Sequence, residues 1–370
     1  MILTPGARTR AGGIAKIVDH TVRNWPADSK FNLRVVDTYG TGGPVRGAIQ
    51  MPFYFAGAML RVLAALLSGN VDILHVNMTE RLSVWRKLSF ALLGIIFGVP
   101  VVMHMHGADF TEYFEQLPKW RQKIVRRIMH SCSITLVLGA YWKQLVAISL
   151  AIPINRIRIL YNAVPVAADP GRKSGAKCRL LFLGIVGERK GVDTLLSALA
   201  HPLMAAADWE AIIGGNGEVS RFKALAGELG LAGRVKFTGL LDAASVAEEF
   251  RQADVFVLPS RNEGLPVALI EAMSHGCAIV STPVGSIADA IISEQTGLLV
   301  DIGDSDALAK ALFRLVESRE LRVRLGAAAR TKFAASFTLP NYISELHAVY
   351  ENVSLQPVAT RGVRYQRPIM

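Results

Sequence analysis

Two doubly wound α/β domains in tandem are what this 370-residue sequence predicts. Three observations lead there. Short runs rich in Val, Ile and Leu recur with helical segments between them, the pattern of parallel strands covered on both faces. The pattern stops at AADPGRKSGAK, 167–177, whose Pro, Gly and Lys content marks a domain boundary, and then restarts. With 51% hydrophobic residues the chain can fill two ordinary cores, which excludes general disorder.

In the first half the expected strands are ILTP, LRVVD, ILHVN, VPVVMHMH, SITLVLG and IRILYN, with helices over 14–24, 53–67, 81–97, 120–131 and 140–150. In the second half they are RLLFLGIV, WEAIIGG, VKFTG, DVFVLPS, AIVSTP and GLLVD. Helices at 305–318 and 320–335, then Pro340 and a last helix over 341–353, close the pattern. Residues 354–370 carry Arg361, Arg364 and Arg367 without apolar periodicity and read as a mobile basic tail. In open parallel sheets ligands collect at the carboxyl ends of the strands, so two such edges facing each other across a cleft are expected.

The apolar run 88–103 is broken by Gly98 and Pro100, and 51–67 by Arg61, so neither reads as a membrane span. The N-terminal MILTPGARTR lacks an uninterrupted apolar segment of the secretory kind, which predicts a cytoplasmic chain. Cys132, Cys178 and Cys277 have no paired spacing and read as buried thiols. Charge is uneven: 19 Lys+Arg stand against 9 Asp+Glu up to Pro170, and 22 against 21 after it. A basic first half suits an anionic partner, either nucleic acid or an acidic membrane surface.

Candidate functional residues gather at strand ends. NEGLPVALIEAM, 262–273, follows the DVFVLPS strand, with Pro266 expected in the first turn of a helix. Glu263 then lies in the turn and Glu271 about one and a half turns into the helix, while Gly264 and Leu265 offer backbone N–H groups to an anion. The plainer reading makes Glu271 a solvated helix residue and Glu263 a favourable charge at a helix start. GIVGERKG, 184–191, places Arg189 and Lys190 at the end of the second domain's first strand, where paired cations suit a diphosphate or form an ordinary basic surface. Gly12 and Gly13 precede a helix where backbone can approach an anion or a sugar.

MHMHGADF, 103–110, puts His104 and His106 on one strand face. His106, nearer the strand end, is the candidate for hydrogen bonding a substrate, and His104 reads as a satisfied core histidine. No further His or Cys cluster supports a metal there. Asp304 or Ser305 as a helix N-cap accounts for the Asp-rich 301–306 better than a metal site does. No metal is expected.

Gly12-Gly13, His106-Gly107-x-Asp109, Glu188-Arg189-Lys190-Gly191 and the run from Glu263 to Glu271, in this order over almost the whole chain, resemble the retaining glycosyltransferases of family 4, of the bacterial exopolysaccharide and lipopolysaccharide type. Ser286 stands where that family often has a second glycine. The resemblance implies the GT-B fold: a Rossmann-like acceptor domain over 1–168, a Rossmann-like donor domain over 176–340, and a closing helix over 341–353 that packs back on the first domain. It implies a nucleotide-diphosphate sugar as co-substrate and no cofactor. Arg189 and Lys190 would neutralise the diphosphate as it leaves, Glu263 would bind hydroxyls of the donor sugar, and Glu271 the ribose. Gly187, Asn262, Gly264 and Leu265 would line the donor. His106 would contact the sugar from the first domain, with Gly12 and Gly13 near the diphosphate and acceptor.

On this reading the basic helix KWRQKIVRR, carrying Lys119, Trp120, Arg121, Lys123, Arg126 and Arg127, docks on an anionic leaflet, with RLSVWRK, 81–87, adding an aromatic among cations. The plainer alternative is a generic basic surface. The expected activity is transfer of a hexose to a glycan acceptor, in particular a lipid-linked oligosaccharide for a cell-surface polysaccharide, at the inner face of the cytoplasmic membrane and without nucleic acid. Two rivals are a sugar-nucleotide epimerase of the same fold, which needs no acceptor, and a non-catalytic basic binding protein, which leaves Arg189, Lys190, Glu263 and Glu271 unexplained.

Overall fold

A computed structural model describes residues 1–5, 12–38, 44–79, 82–168 and 177–355. They form two compact units, each around one parallel six-stranded sheet. Unit 1 comprises Met1–Val137, Lys143–Leu160 and the chain from Ile343 onward; unit 2 comprises Leu138–Trp142 and Tyr161–Tyr342. The grouping departs from the expected boundary near 168, because residues after Tyr161 already pair within unit 2: Val164 bridges to Thr338, and Asn162 donates to the Leu265 carbonyl at 2.7 Å. The segment 169–176, within the expected linker, lies outside the described residues, as does nearly all of the expected basic tail.

The strands of unit 1 are β1 (Ile2–Thr4), β2 (Val35–Asp37), β3 (Leu74–Met78), β4 (Val101–Met105), β5 (Ile134–Val137) and β6 (Ile157–Ile159). They lie in the order β2-β1-β3-β4-β5-β6. Its helices are α1 (Gly13–Arg23), α2 (Pro44–Leu67), α3 (Leu82–Ile96), α4 (Phe110–Glu115), α5 (Lys119–Ser131) and α6 (Ala140–Leu150). All six strands stand where the apolar runs predicted them. Helix α2 begins nine residues earlier than the expected 53, at Pro44, and α4 was not expected; it is one turn and a half buried through Phe110 and Phe114.

Unit 2 contains β7 (Cys178–Leu183), α7 (Val192–Leu199), α8 (Pro202–Ala205), β8 (Trp209–Gly214), α9 (Val219–Glu228), β9 (Val235–Gly239), α10 (Ala243–Gln252) and β10 (Val255–Leu258). It continues through α11 (Val267–Ser274), β11 (Ala278–Ser281), α12 (Ile287–Ala290), β12 (Leu298–Leu299), α13 (Ser305–Glu317) and α14 (Arg319–Ser336). The order is β12-β11-β10-β7-β8-β9. From β7 the chain winds outward to β9, then returns to the other side of β7 with β10. The loops after β7 and β10 therefore diverge from adjacent strands, which is where a doubly wound sheet opens a crevice. Unit 1 has the equivalent switch between β1 and β3.

Asp304 caps α13, its carboxylate accepting from Ala307 N at 2.8 Å. The last helix, α15 (Leu339–Leu355), leaves unit 2 at Tyr342 and runs into unit 1. There Tyr350 and His347 pack against Trp25 and Phe31. The three cysteines are buried thiols outside any disulfide, and burial pushes Cys132 up to about 12.

The core of unit 1 holds a polar stripe. β3 and β4 pair in a register that sets Asn77 opposite His104 and His75 opposite Val102, so alternation brings His75, Asn77, His104 and His106 to one face. The His75 ring lies 2.7 Å from the Tyr350 hydroxyl through Nδ1 and 3.3 Å from His104 Nδ1 through Nε2. His104 is thus a core histidine as expected, yet its Nε2 has no partner, so it is not fully satisfied.

Burial pushes His75 and His106 down to about 3 and holds His104 well below its ordinary value. An unfolded chain takes up these protons near pH 6.5, whereas the folded core refuses them, so stability must fall as pH drops below that value. Urea unfolding between pH 7 and 5, above the carboxylate range, should show the unfolding free energy decreasing with acid, and the slope should flatten in His104→Leu.

Candidate active site

In unit 2 the loop after β7 turns through a short 3-10 segment, Glu188–Lys190, that leads into α7. The loop after β10 carries Ser260 to Leu265 and leads into α11. Two buried ends of these loops meet: the Lys190 ammonium donates to Glu263 Oε1, with side chains only 13% and 7% exposed. Ser260 Oγ donates to the same carboxylate oxygen at 2.7 Å. The Glu263 carboxylate is thereby fixed from two sides, and Thr282 in turn donates to the Ser260 carbonyl at 2.5 Å. Removing one member of a buried pair strands the other charge in a low dielectric, at a cost of roughly 3–5 kcal/mol.

Arg189 points outward and is exposed; its guanidinium donates to the Asn262 carbonyl at 3.3 Å, which ties the two loops a second time. The Arg189 carbonyl accepts from Arg261 N at 2.9 Å. Arg261 itself is engaged by Asp193 at 2.5 Å, while Glu188 pairs with Arg221, which holds its carboxyl below the usual range. Gly187 is the residue before the 3-10 turn.

Pro266 is the N-cap of α11 rather than a residue of its first turn, so the helix begins at Val267 and Gly264 and Leu265 precede it. Pro266 itself is extended, with φ −66° and ψ 127°. Glu271 is the fifth residue of α11 and half-buried. Behind the β10 loop, Gly285 adopts φ +56° and its α-carbon faces the Glu263 carbonyl so closely that a Cβ would stand 1.9 Å from that oxygen. Ser286 N donates to the Gly264 carbonyl at 2.8 Å. The glycine loop is thus a backbone support for the Glu263 turn, and Ser286 is buried within it.

In unit 1, Gly12 is the N-cap of α1 with φ 90°, and a Cβ there would meet nothing within 4 Å. The positive φ requires glycine. Gly13 is the first helical residue. His106 follows β4, its ring within 4.0 Å of the His104 ring centroid to centroid. Its Nε2 lies 2.8 Å from Asn77 Oδ1. Lys87, expected on a basic surface, is instead buried, its ammonium donating to Thr38 Oγ1 at the carboxyl ends of β1 and β2. Burial lowers Lys87 to about 7.

The basic helix α5 is largely as expected. Lys119, Arg121, Lys123 and Arg127 are exposed, with Trp120 61% exposed and Arg121 over the rings of Trp120 and Trp85. Arg126 differs: its guanidinium donates to the Ser149 carbonyl at 2.9 and 3.2 Å and lies over the Phe114 ring, so it fastens α5 to α6. Among the described residues no group of three or more His, Cys, Asp or Glu is placed to hold a metal.

Comparison with known proteins agrees with this geometry. Residues 12–168 match the family model Glycosyltransferase Family 4, and 169–332 match Glycosyl transferases group 1. The chain belongs to the family 4 glycosyltransferases. Over 87% of its length it is 29% identical to the phosphatidyl-myo-inositol mannosyltransferase of Mycobacterium leprae, of which it spans 83%. The fold of this glycosyltransferase is GT-B. It superposes on a glycosyltransferase from Rickettsia africae with a TM-score of 0.75 at 16% identity, covering 96% of this chain and 98% of that one. HepE from Anabaena, in complex with UDP and glucose, gives 0.71 at 15% identity, covering 95% and 98%.

Ser260, Asn77 and Lys87 escaped the reading of the sequence. Asn77 did leave a signal, a polar residue two places from His75 in an otherwise apolar strand. Lys87 left none, because a lysine in a helix beside Arg86 reads as surface.

The Gly285 contact makes a direct prediction. Gly285→Ala should cost at least ~2 kcal/mol of stability, since neither the backbone at Gly285 nor the Glu263 carbonyl can yield freely. It should also weaken nucleotide binding several-fold by displacing the Glu263 turn, whereas Gly227→Ala on α9, where a Cβ meets nothing within 4 Å, should do neither. Chemical unfolding and calorimetric titration with nucleoside diphosphates read both.

Proposed function

We propose that this glycosyltransferase moves a hexose from a nucleotide-diphosphate sugar to an acceptor carried on lipid, with retention of configuration and without a metal ion. The observation that carries the reading is the pair of cations, Arg189 and Lys190, brought beside Glu263 at the switch point between β7 and β10. As the bond from the sugar to the diphosphate breaks, negative charge grows on the leaving phosphate. The two cations stabilise that charge more than the ground state and supply what a metal otherwise would. Lys190 then turns from Glu263 toward phosphate, and the freed carboxylate oxygen accepts from hydroxyls of the donor sugar. Glu271 binds the ribose, and Gly187, Asn262, Gly264 and Leu265 line the donor.

Unit 1 takes the acceptor and presents Gly12, Gly13 and His106 to the substrates. The departing phosphate takes the proton of the attacking hydroxyl, and the new glycosidic bond forms on the face that the diphosphate leaves. The relative named for phosphatidyl-myo-inositol and the neighbour holding UDP and glucose favour this pairing of a lipid acceptor with a nucleotide sugar.

Docking on the inner face of the cytoplasmic membrane is part of the same proposal. Helix α2 buries Ala58 and Val62 but exposes Phe53, Leu60 and Leu67, seven residues apart, and between Pro44 and Leu67 it has no acidic residue. It packs on α3, which exposes Leu92 and Ile96 and is followed at once by exposed Phe97, and α3 packs on α5, which exposes Trp120 and Ile124. Exposed apolar residues beside Lys119, Arg121, Lys123 and Arg127 suit the boundary of an anionic bilayer. Among the described residues no helix is long and apolar enough to cross it.

Binding and slow hydrolysis of UDP-glucose, UDP-galactose, UDP-N-acetylglucosamine and GDP-mannose should single out one donor, with Glu271→Ala and Arg189→Ala each weakening binding at least ~10-fold. Binding of none, with no effect of either substitution, rejects the donor site. Co-sedimentation with vesicles containing anionic phospholipid should be lost when Lys119, Arg121, Lys123 and Arg127 are neutralised, and unchanged binding rejects the docking face.

A further inference from the structure

His106 is held by a side chain whose own orientation is fixed. Asn77 is 2% exposed, and its Nδ2 donates to the Leu3 carbonyl at 3.2 Å. A carbonyl only accepts, so the amide nitrogen must face Leu3 and Oδ1 must face His106. Oδ1 has no proton to give. The 2.8 Å contact therefore requires His106 Nε2 to carry the hydrogen.

The ring is also uncharged. Burial, with the Lys87 charge nearby, pushes His106 down to about 3. A neutral imidazole protonated on Nε2 bears its lone pair on Nδ1, and Nδ1 is buried with no partner in the protein. The neighbouring His104 ring lies tilted by 40° against His106, 4.0 Å away between centroids, and leaves this nitrogen unsatisfied. The backbone is fixed too: His106 N donates to the Met78 carbonyl at 2.8 Å, one residue beyond Asn77. A bare acceptor held at the carboxyl end of β4 is shaped to receive a hydroxyl, since a buried nitrogen without a partner is costly until one arrives.

We propose that Asn77 is a positioning residue that locks His106 in its Nε2-protonated form, so that Nδ1 accepts a hydrogen bond from a hydroxyl of the sugar substrate. The proposal rests on the glycosyl-transfer reading above. It makes β3, through Leu3, Asn77 and His106 in series, the element that sets which way the imidazole can bond. The opposite tautomer would place an N–H at Nδ1 and offer the substrate a donor in place of an acceptor.

Three variants separate positioning from simple structural support. Asn77→Leu keeps the size and loses the acceptor, Asn77→Ala loses both, and Asn77→Asp keeps an acceptor oxygen. Long-range proton–nitrogen NMR on protein labelled in its histidine rings, with His106→Gln to assign the signal, reads the tautomer without substrate. The wild-type ring is expected to carry its proton on Nε2 at neutral pH, to shift toward a mixture in Asn77→Leu and Asn77→Ala, and to return in Asn77→Asp. Turnover should follow: kcat falls at least ~10-fold in the first two variants with donor affinity within ~3-fold of wild type, and Asn77→Asp recovers most of it. A wild-type ring protonated on Nδ1 overturns the proposal. So does a ring unchanged in Asn77→Leu and Asn77→Ala, or a changed tautomer with unchanged kcat. Because the tautomer is read without substrate, it decides the part of Asn77 even where the donor screen rejects the functional reading.

Discussion

The buried pair of Lys190 and Glu263 is the contact on which the switch-point loops of unit 2 depend. Its partners come from loops 73 residues apart in sequence, and they meet because β7 and β10 are neighbours while their connections run to opposite sides of the sheet. Switching direction at β7 leaves a gap between two loops, and the pair closes that gap with opposite charges. Ser260 steadies the carboxylate, and Gly285 supports the turn that carries it. On the proposed function, the lysine that steadies the carboxylate in the free protein is also the one that turns to a diphosphate bringing a competing charge. On that proposal, stability of the free protein and recognition of the leaving group draw on one cation.

Unit 1 uses neutral groups where unit 2 uses charges. Its carboxyl edge is built from imidazoles that burial keeps uncharged, an amide, and one lysine that burial lowers to about 7, set on a threonine hydroxyl. Such groups bind hydroxyls with direction but add little field of their own. The contrast fits a division of labour in which one unit stabilises developing phosphate charge and the other orients sugar hydroxyls. The basic surface on α5 is separate from both, since its cations point to solvent while Lys87 is buried.

Much of this was legible in the sequence because parallel strands buried on both faces read as uninterrupted apolar runs, and the twelve strands among the described residues match those runs to within one residue at their overhanging ends. The strand-end placement of Arg189, Lys190, Glu263 and His106 was legible for the same reason: each lies within a few residues of the end of an apolar run. What the sequence left open were relations between strands. Alternation puts His75 and Asn77 on one face of β3, and His104 and His106 on one face of β4, but only the pairing of Asn77 with His104 tells that the two faces are continuous. Likewise Lys190 and Glu263 were read as two separate ligands for one substrate, and nothing local to either announces that they first bind each other. The start of α2 was missed because Pro52 interrupts it and reads as a helix boundary, whereas the helix continues through that residue.

The most direct measurement is a double-mutant cycle on Lys190→Met and Glu263→Gln, read by chemical unfolding with and without a saturating nucleoside diphosphate. In the free protein each single substitution should cost about 3 kcal/mol or more, and the double variant should cost at least ~2 kcal/mol less than their sum. With the diphosphate bound, that coupling should shrink as Lys190 turns to phosphate. Additivity within ~0.5 kcal/mol in the free protein, or a coupling that the nucleotide leaves unchanged, would contradict the claim that this pair is both the lock of the empty site and the cation offered to the leaving group.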